Sequence, residues 1–230
     1  MPNPSFFKKL ATAIFLSILI VSCQGRVTKA PEQGKSTQQN VKPNIFYGEL
    51  VLKEESDYIM IPVRLSREDQ SNRGNILGSS SYEVRKNIFD NIIFYRKADG
   101  VSHLLLDKKA RISSFDFLEQ KKPLARFVLY KIIENDTNQD GELTEEDATI
   151  GYLSDLAGKN LQQITPNNSQ LLSSTVVQSV GAIFAKIIKD SDGDRKFTER
   201  DETAFIKVNL DNPGIGTEII SDQIKQQIKS

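Results

Sequence analysis

The chain has 230 residues, which is room for one sizeable domain or two small ones. Hydrophobic residues make up 38% and charged residues 26%, which excludes a wholly disordered chain, and 30 basic against 30 acidic residues exclude a broad nucleic-acid footprint. A single cysteine excludes an internal disulfide framework and a multi-cysteine zinc site, and any Ser/His/Asp triad would have to use the single histidine, His103.

The first ten residues carry Lys8 and Lys9 and no acid, and ATAIFLSILIVS follows, an apolar run too short to span a bilayer. A basic stretch followed by a short apolar stretch reads as a secretory signal over 1–22. It ends Ile20-Val21-Ser22-Cys23, with the only cysteine at the last place. This run resembles a bacterial lipobox. The resemblance implies lipidation of Cys23 with palmitate-type chains, attachment to a membrane without crossing it, and a mature chain of net charge −2, with 28 basic and 30 acidic residues. Gln24, in place of Asp after the cysteine, implies sorting to the outer membrane in such lipoproteins. Residues 23–44 are polar and free of aromatics beyond the cysteine, and read as a flexible tether with a reach of roughly 25 Å. The folded part, a single β-rich calcium-binding domain, is expected over 45–230.

Residues 45–57 offer an extra strand, and YIMIPVRL (58–65) reads as the opening strand of a four-strand unit. Residues 66–82, polar and rich in Gly and Ser, read as a long exposed loop. NIIFYRKADGVSHLLLD reads as strand, turn at 97–100, and strand, with His103 a structural or exposed histidine. RISSFDFL (111–118) opens a second unit and QLLSSTVV (170–177) a third, while FVLYKII and AIFAKII are apolar, β-branched and short.

Two acidic loops follow those last two segments. The first is Asp136-Thr-Asn138-Gln-Asp140-Gly141-Glu142-Leu143-Thr144-Glu-Glu-Asp147. Oxygen-bearing side chains at positions 1, 3 and 5, Gly at 6, an apolar residue at 8 and a carboxylate at 12 match the twelve-residue EF-hand-type calcium loop. Calcium takes six to eight oxygens, and a tight loop supplies them from alternate residues. The expected metal residues are Asp136, Asn138, Asp140, Glu142 through its carbonyl, Thr144 and Asp147. Asp at position 12 is shorter than Glu, which predicts weaker or less selective binding. The second loop runs Asp190-Ser-Asp192-Gly193-Asp194-Arg195-Lys196-Phe197-Thr198-Glu-Arg-Asp201. Its expected metal residues are Asp190, Asp192, Asp194, Lys196 through its carbonyl, Thr198 and Asp201. Arg195 replaces Gly at position 6, where a positive φ costs about 1 kcal/mol or more. One or two calcium ions per chain follow from this reading.

The loops start 54 residues apart, Lys-Ile-Ile precedes both, and Leu-Thr-Glu or Phe-Thr-Glu follows position 7, so the chain is internally repeated. After the second loop, Ala204, Ile206, Val208 and Leu210 alternate with polar residues and Phe205, which predicts a strand, and a turn at 211–214 leads to TEII. ATIGYLSDL, a turn at 157–160 and LQQIT repeat that order after the first loop. The last pieces SHLLLD, LQQIT and TEII start 59 and 56 residues apart. Units of four short strands are blade-like, and YLSDLAGKNLQQITPNN resembles the blade-ending hairpins of periplasmic Tol-type β-propellers. The resemblance covers about residues 90–220 and implies a mainly β fold of about three blades, closed or as an open stack. The alternative is a helical EF-hand pair, with Tyr152, Leu153 and Leu156 on a helix. Ser221 with Ile220, Ile224 and Ile228 predicts a short capped terminal helix.

No nucleophile elbow or phosphate loop occurs, and no catalytic residue is assigned. The expected function is a calcium-binding, lipid-anchored envelope protein, acting as a binding or scaffold module for an envelope protein or ligand. The alternative is a calcium-dependent envelope hydrolase or lyase.

Overall fold

The computed structural model describes residues 42–66 and 88–230. The leader, Cys23, nearly all of the tether and the loop beyond Ser66 lie outside the described residues.

The described chain forms three antiparallel meanders laid face to face. In sheet A, β1 (Ile45–Tyr47) and β2 (Val51–Leu52) lie end to end along one edge of β3 (Tyr58–Leu65), which pairs on its other edge with β4 (Asn91–Arg96), and β4 pairs with β5 (Ser102–Leu104). Sheet B runs β6 (Arg111–Lys121), β7 (Leu124–Ile133), β8 (Ile150–Ser154), β9 (Gln162–Gln163). Sheet C runs β10 (Ser169–Val177), β11 (Ala182–Lys189), β12 (Glu202–Asn209), β13 (Thr217–Glu218). None of the three closes into a barrel.

Period-two alternation produces these strands, because successive side chains point to opposite faces of a pleated sheet. In β12, Ala204, Ile206 and Val208 are buried and the residues between them are exposed. β7 is buried on both faces, as the middle sheet must be. Its Val128, Tyr130 and Ile132 pack with Met60, Ile92 and Phe94 of sheet A, while Leu129 packs with Leu171, Ile183, Ile187 and Ile206 of sheet C.

The turns that end the third strands pin the stack. Asp155 accepts from the amides of Ala157 and Lys159, both at 2.9 Å, and Gly158 follows with φ of 69°. That turn seats on sheet A. His103 donates Nε2–H to the Ala157 carbonyl at 2.9 Å and stacks on Phe94, and Ser56 Oγ donates to the Leu156 carbonyl at 3.0 Å. A methyl group on Gly158 would stand 2.3 Å from the Phe94 ring. Between sheets B and C, Gly216 N–H donates to the Ile164 carbonyl at 3.0 Å. His103 thus acts as a structural tie.

Three expectations change. YIMIPVRL is the second strand of its sheet; β1 and β2 are the first. They are split because Pro62 accepts from the Gly48 amide at 2.8 Å but has no amide hydrogen to return. SHLLLD contributes a strand only over Ser102–Leu104, and Leu105 and Leu106 turn into the core. The helical EF-hand pair is overturned: the segments around both acidic loops are strands, with Tyr152 and Leu153 in β8 paired to β7. The terminal helix forms as α1 (Asp222–Lys229), with Ser221 Oγ accepting from the Ile224 amide at 3.4 Å. Among the described residues no helix is long and apolar enough to cross a membrane.

Candidate metal centre

Both acidic loops occupy the same place, the connection between the second and third strands of their sheets. β7 and β8 hold the first, and β11 and β12 hold the second. Each is a network of carboxylates closing on backbone amides, and the two networks are closely alike.

Position 1 organises the front of each loop. Asp136 accepts from the amides of Asp140 at 3.1 Å and Gly141 at 2.8 Å. Asp190 accepts from Gly193 at 2.9 Å and Arg195 at 3.2 Å. Position 5 accepts from the amide of position 7, Asp140 from Glu142 and Asp194 from Lys196, both at 2.8 Å. Position 3 folds onto position 5: Asn138 Oδ1 and Asp192 Oδ1 accept from the amides of Asp140 and Asp194, both at 3.1 Å. These turns require the left-handed region twice per loop. Gln139 and Gly141 supply it in the first, at φ of 63° and 89°, and Gly193 and Arg195 in the second, at 75° and 66°. The positive φ expected at Arg195 is present.

The second loop gathers its acids most closely. Asp190, Asp192 and Asp194 each place a carboxylate oxygen within 4.8 Å of the others. Three like charges at that spacing repel, and a hard divalent cation with a preference for oxygen is the charge that suits the donor set. In the first loop Asn138 takes the middle place and its Nδ2 donates to Asp140 at 3.0 Å.

Position 12 does a different job from the one the motif suggests. The Asp147 side chain is fully buried and already hydrogen-bonded through both oxygens. Its Oδ1 accepts from the amides of Thr137 at 2.7 Å and Asn138 at 3.2 Å, and its Oδ2 from Thr144 at 2.8 Å. Asp201 repeats this with Ser191 at 2.9 Å and Thr198 at 2.8 Å. The Thr198 amide first, then that of Ser191, holds the Asp201 carboxyl below the usual carboxylate range. Each position-12 carboxylate therefore staples the two ends of its loop. The hydroxyl at position 2 completes the staple. Thr137 Oγ1 accepts from Ala148 N–H at 2.9 Å, and Ser191 Oγ from Glu202 N–H at 3.0 Å. Thr144 and Thr198 turn back into one-turn caps, accepting from Glu146 and Arg200 amides at 3.2 Å.

Arg111 of sheet B itself and Gln170 of sheet C grip the first loop. Arg111 donates to the Leu143 carbonyl at 2.7 Å, and Gln170 Nε2 to the carbonyls of Glu145 and Asp147 at 3.2 and 3.1 Å. The loops also meet each other, because Arg195 donates to the Gln139 side-chain oxygen. Sequence reading missed the staple and this bridge. The repeated Thr-x-x-Asp at 144–147 and 198–201 is a capping-box pattern and carried the signal for the first. Away from the loops, a surface hollow is lined by Lys53, Glu55, Phe117, Glu119, Arg126 and Leu156, and its Glu119 is tied to Arg126 at 3.0 Å. No protein-family model, no curated protein and no solved structure matches the chain.

Proposed function

We infer that this is an exported, lipid-anchored envelope protein whose two loops bind calcium, and that the metal stabilises an open stack of three blade-like sheets serving as a binding or scaffold module. The observation that carries the reading is the matched pair of loops. Each folds its position 1, 3 and 5 side chains into one oxygen-rich cluster while position 12 is spent on bracing. In this reading Asp136, Asn138 and Asp140 hold one ion, Asp190, Asp192 and Asp194 the other, and the carbonyls of Glu142 and Lys196 complete each set. Asp147 and Asp201 keep the loop shape ready. Binding neutralises a loop that has six acids and no base in the first case, and five acids against three bases in the second. The lipobox-like run ending at Cys23 supports the anchor, and Gln24 the outer membrane.

Calorimetric titration of the metal-stripped protein tests this. Two binding events per chain are expected, with Asp136→Ala and Asp190→Ala each removing one and lowering the calcium-dependent gain in melting temperature. No heat at millimolar calcium, or a gain that survives both substitutions, sinks the reading. Metabolic labelling with a fatty acid tests the anchor, which requires loss of label in Cys23→Ser.

A further inference from the structure

The two ends of the stack differ. The register of sheet A puts Leu52, Ile59 and Tyr95 in one cross-strand row, Ile61, Ile93 and Leu104 in the next, and Tyr47 beyond them beside Val63, all on the face turned away from sheet B, with Val63 itself buried. Among the described strand residues on this face the polar ones are Asn91 and Ser102, and none is charged. The outer face of sheet C is of another kind. Lys186 pairs with Phe205 there, and Lys207 with Phe184, with Thr203 and Thr217 nearby. That is a solvated sheet face. The face of sheet A has the composition of the two buried sheet-to-sheet contacts already in the molecule.

We propose that the outer face of sheet A is covered by the same face of a second copy, giving a closed dimer of six stacked sheets. Two arguments select this occupant. Stacking sheet A on the sheet C face of another copy would bury Lys186 and Lys207 against a face with no acid among its described strand residues, leaving two ammonium groups desolvated and unpaired. It would also leave free ends and grow without closure, whereas face-to-same-face pairing closes at two. The area suffices. Ile45, Tyr47, Leu52, Leu65, Tyr95 and Leu104 are 39% to 63% exposed. Each leaves roughly 100 Å² open. Two such faces therefore bury on the order of 1,200 Å², the lower end for a stable interface. The proposal does not depend on the loops binding metal.

Single cysteines at Ile61, Ile93 and Leu104, oxidised in intact cells making the full chain, test it. A disulfide-linked species at twice the mass of the single chain is expected from this row, and none from Lys207→Cys or from the unaltered chain. Sedimentation of the full chain is expected to show a dimer that weakens at least tenfold in Leu104→Glu and in Leu52→Glu. Both positions are more than half exposed in the single chain, so folding is retained, checked by an unchanged circular dichroism spectrum. A monomeric unaltered chain, or a dimer indifferent to both substitutions, overturns the proposal. So does a chain that never dimerises and whose binding to phosphatidylcholine vesicles is lost in the same variants, since that makes the face lipid-facing.

Discussion

At the scale of single residues, two side-chain environments set the sharpest tests. Asp147 is buried with both carboxylate oxygens accepting from the loop's own amides. Asp147→Asn turns one acceptor into a donor aimed at those amides, which costs about 2 kcal/mol. Because the bonds are internal to the loop, the loss is expected in chelator as well as in calcium, read as a lower urea midpoint in both. A loss confined to calcium would make Asp147 a ligand after all. Glycines divide in the same way. Gly193 has φ of 75° and open space around it, so Gly193→Ala meets only the left-handed penalty, about 1 kcal/mol. Gly158 has a similar φ and the Phe94 ring at 2.3 Å from an added methyl, so Gly158→Ala is expected to cost at least twice as much by thermal melting. Equal losses would remove the packing argument. The gathering of oxygen-bearing side chains at positions 1, 3 and 5 of both loops was legible from spacing alone. The staple was not, because position 12 bears the same carboxylate whether it meets a cation or a backbone amide.

At the scale of elements, sheet C carries both the densest acid cluster and a small charge network. Glu218 bridges Lys189 and Lys225, and the Lys189 bond first, then that of Lys225, holds its carboxyl below the usual range. Asp201 is lowered as well, by amide donors. For both groups the fold favours the charged form. Their contribution is complete above the carboxylate values of the unfolded chain, and it is lost as pH falls through the lower folded values. Stability to urea is therefore expected to be flat from neutrality to about pH 5 and to fall below about pH 4. The acid-induced loss is expected to be smaller in Asp201→Asn, and an unchanged pH profile in that variant would exclude its part. The strands themselves were legible: alternation gave β3 and β12 nearly to the residue. The split between β1 and β2 was not, because it depends on Pro62 lying opposite Gly48 in another strand, a pairing that no local pattern announces.

Across the whole molecule, sheet B shares a core with each neighbour, so β7 is buried on both faces and β1 and β13 are exposed edges. Hydrogen exchange is expected to protect Val128–Ile132 longest and to release the amides of Ile45–Tyr47 and Thr217–Glu218 first. Faster exchange in β7 than in β13 would contradict a stack held at its centre. Ile183→Ala, which opens the contact between sheets B and C, is expected to cost 2–5 kcal/mol in urea unfolding, and a loss under 1 kcal/mol would mean that this core is not tightly packed. The count of sheets was readable from the repeat. Which residues face which neighbour was not, since alternation assigns a side chain to a face without saying what lies beyond it.

The turn seated on Phe94 has a mechanical consequence. Hairpins alternate ends in a meander, so this turn fastens sheet A to sheet B at the end opposite the acidic loop. Sheets B and C are instead fastened beside the loops, where the Leu171 amide donates to the Thr149 carbonyl and Gln170 to that of Asp147. The stack is thus clamped at both ends, and a cation would act within the loops without moving the sheets. Spin labels at Glu142 and Lys196 are expected to narrow their distance distribution on adding calcium while labels at Lys159 and Asn212 keep their spacing. Movement at Lys159 and Asn212 instead would mean that the sheets slide past one another.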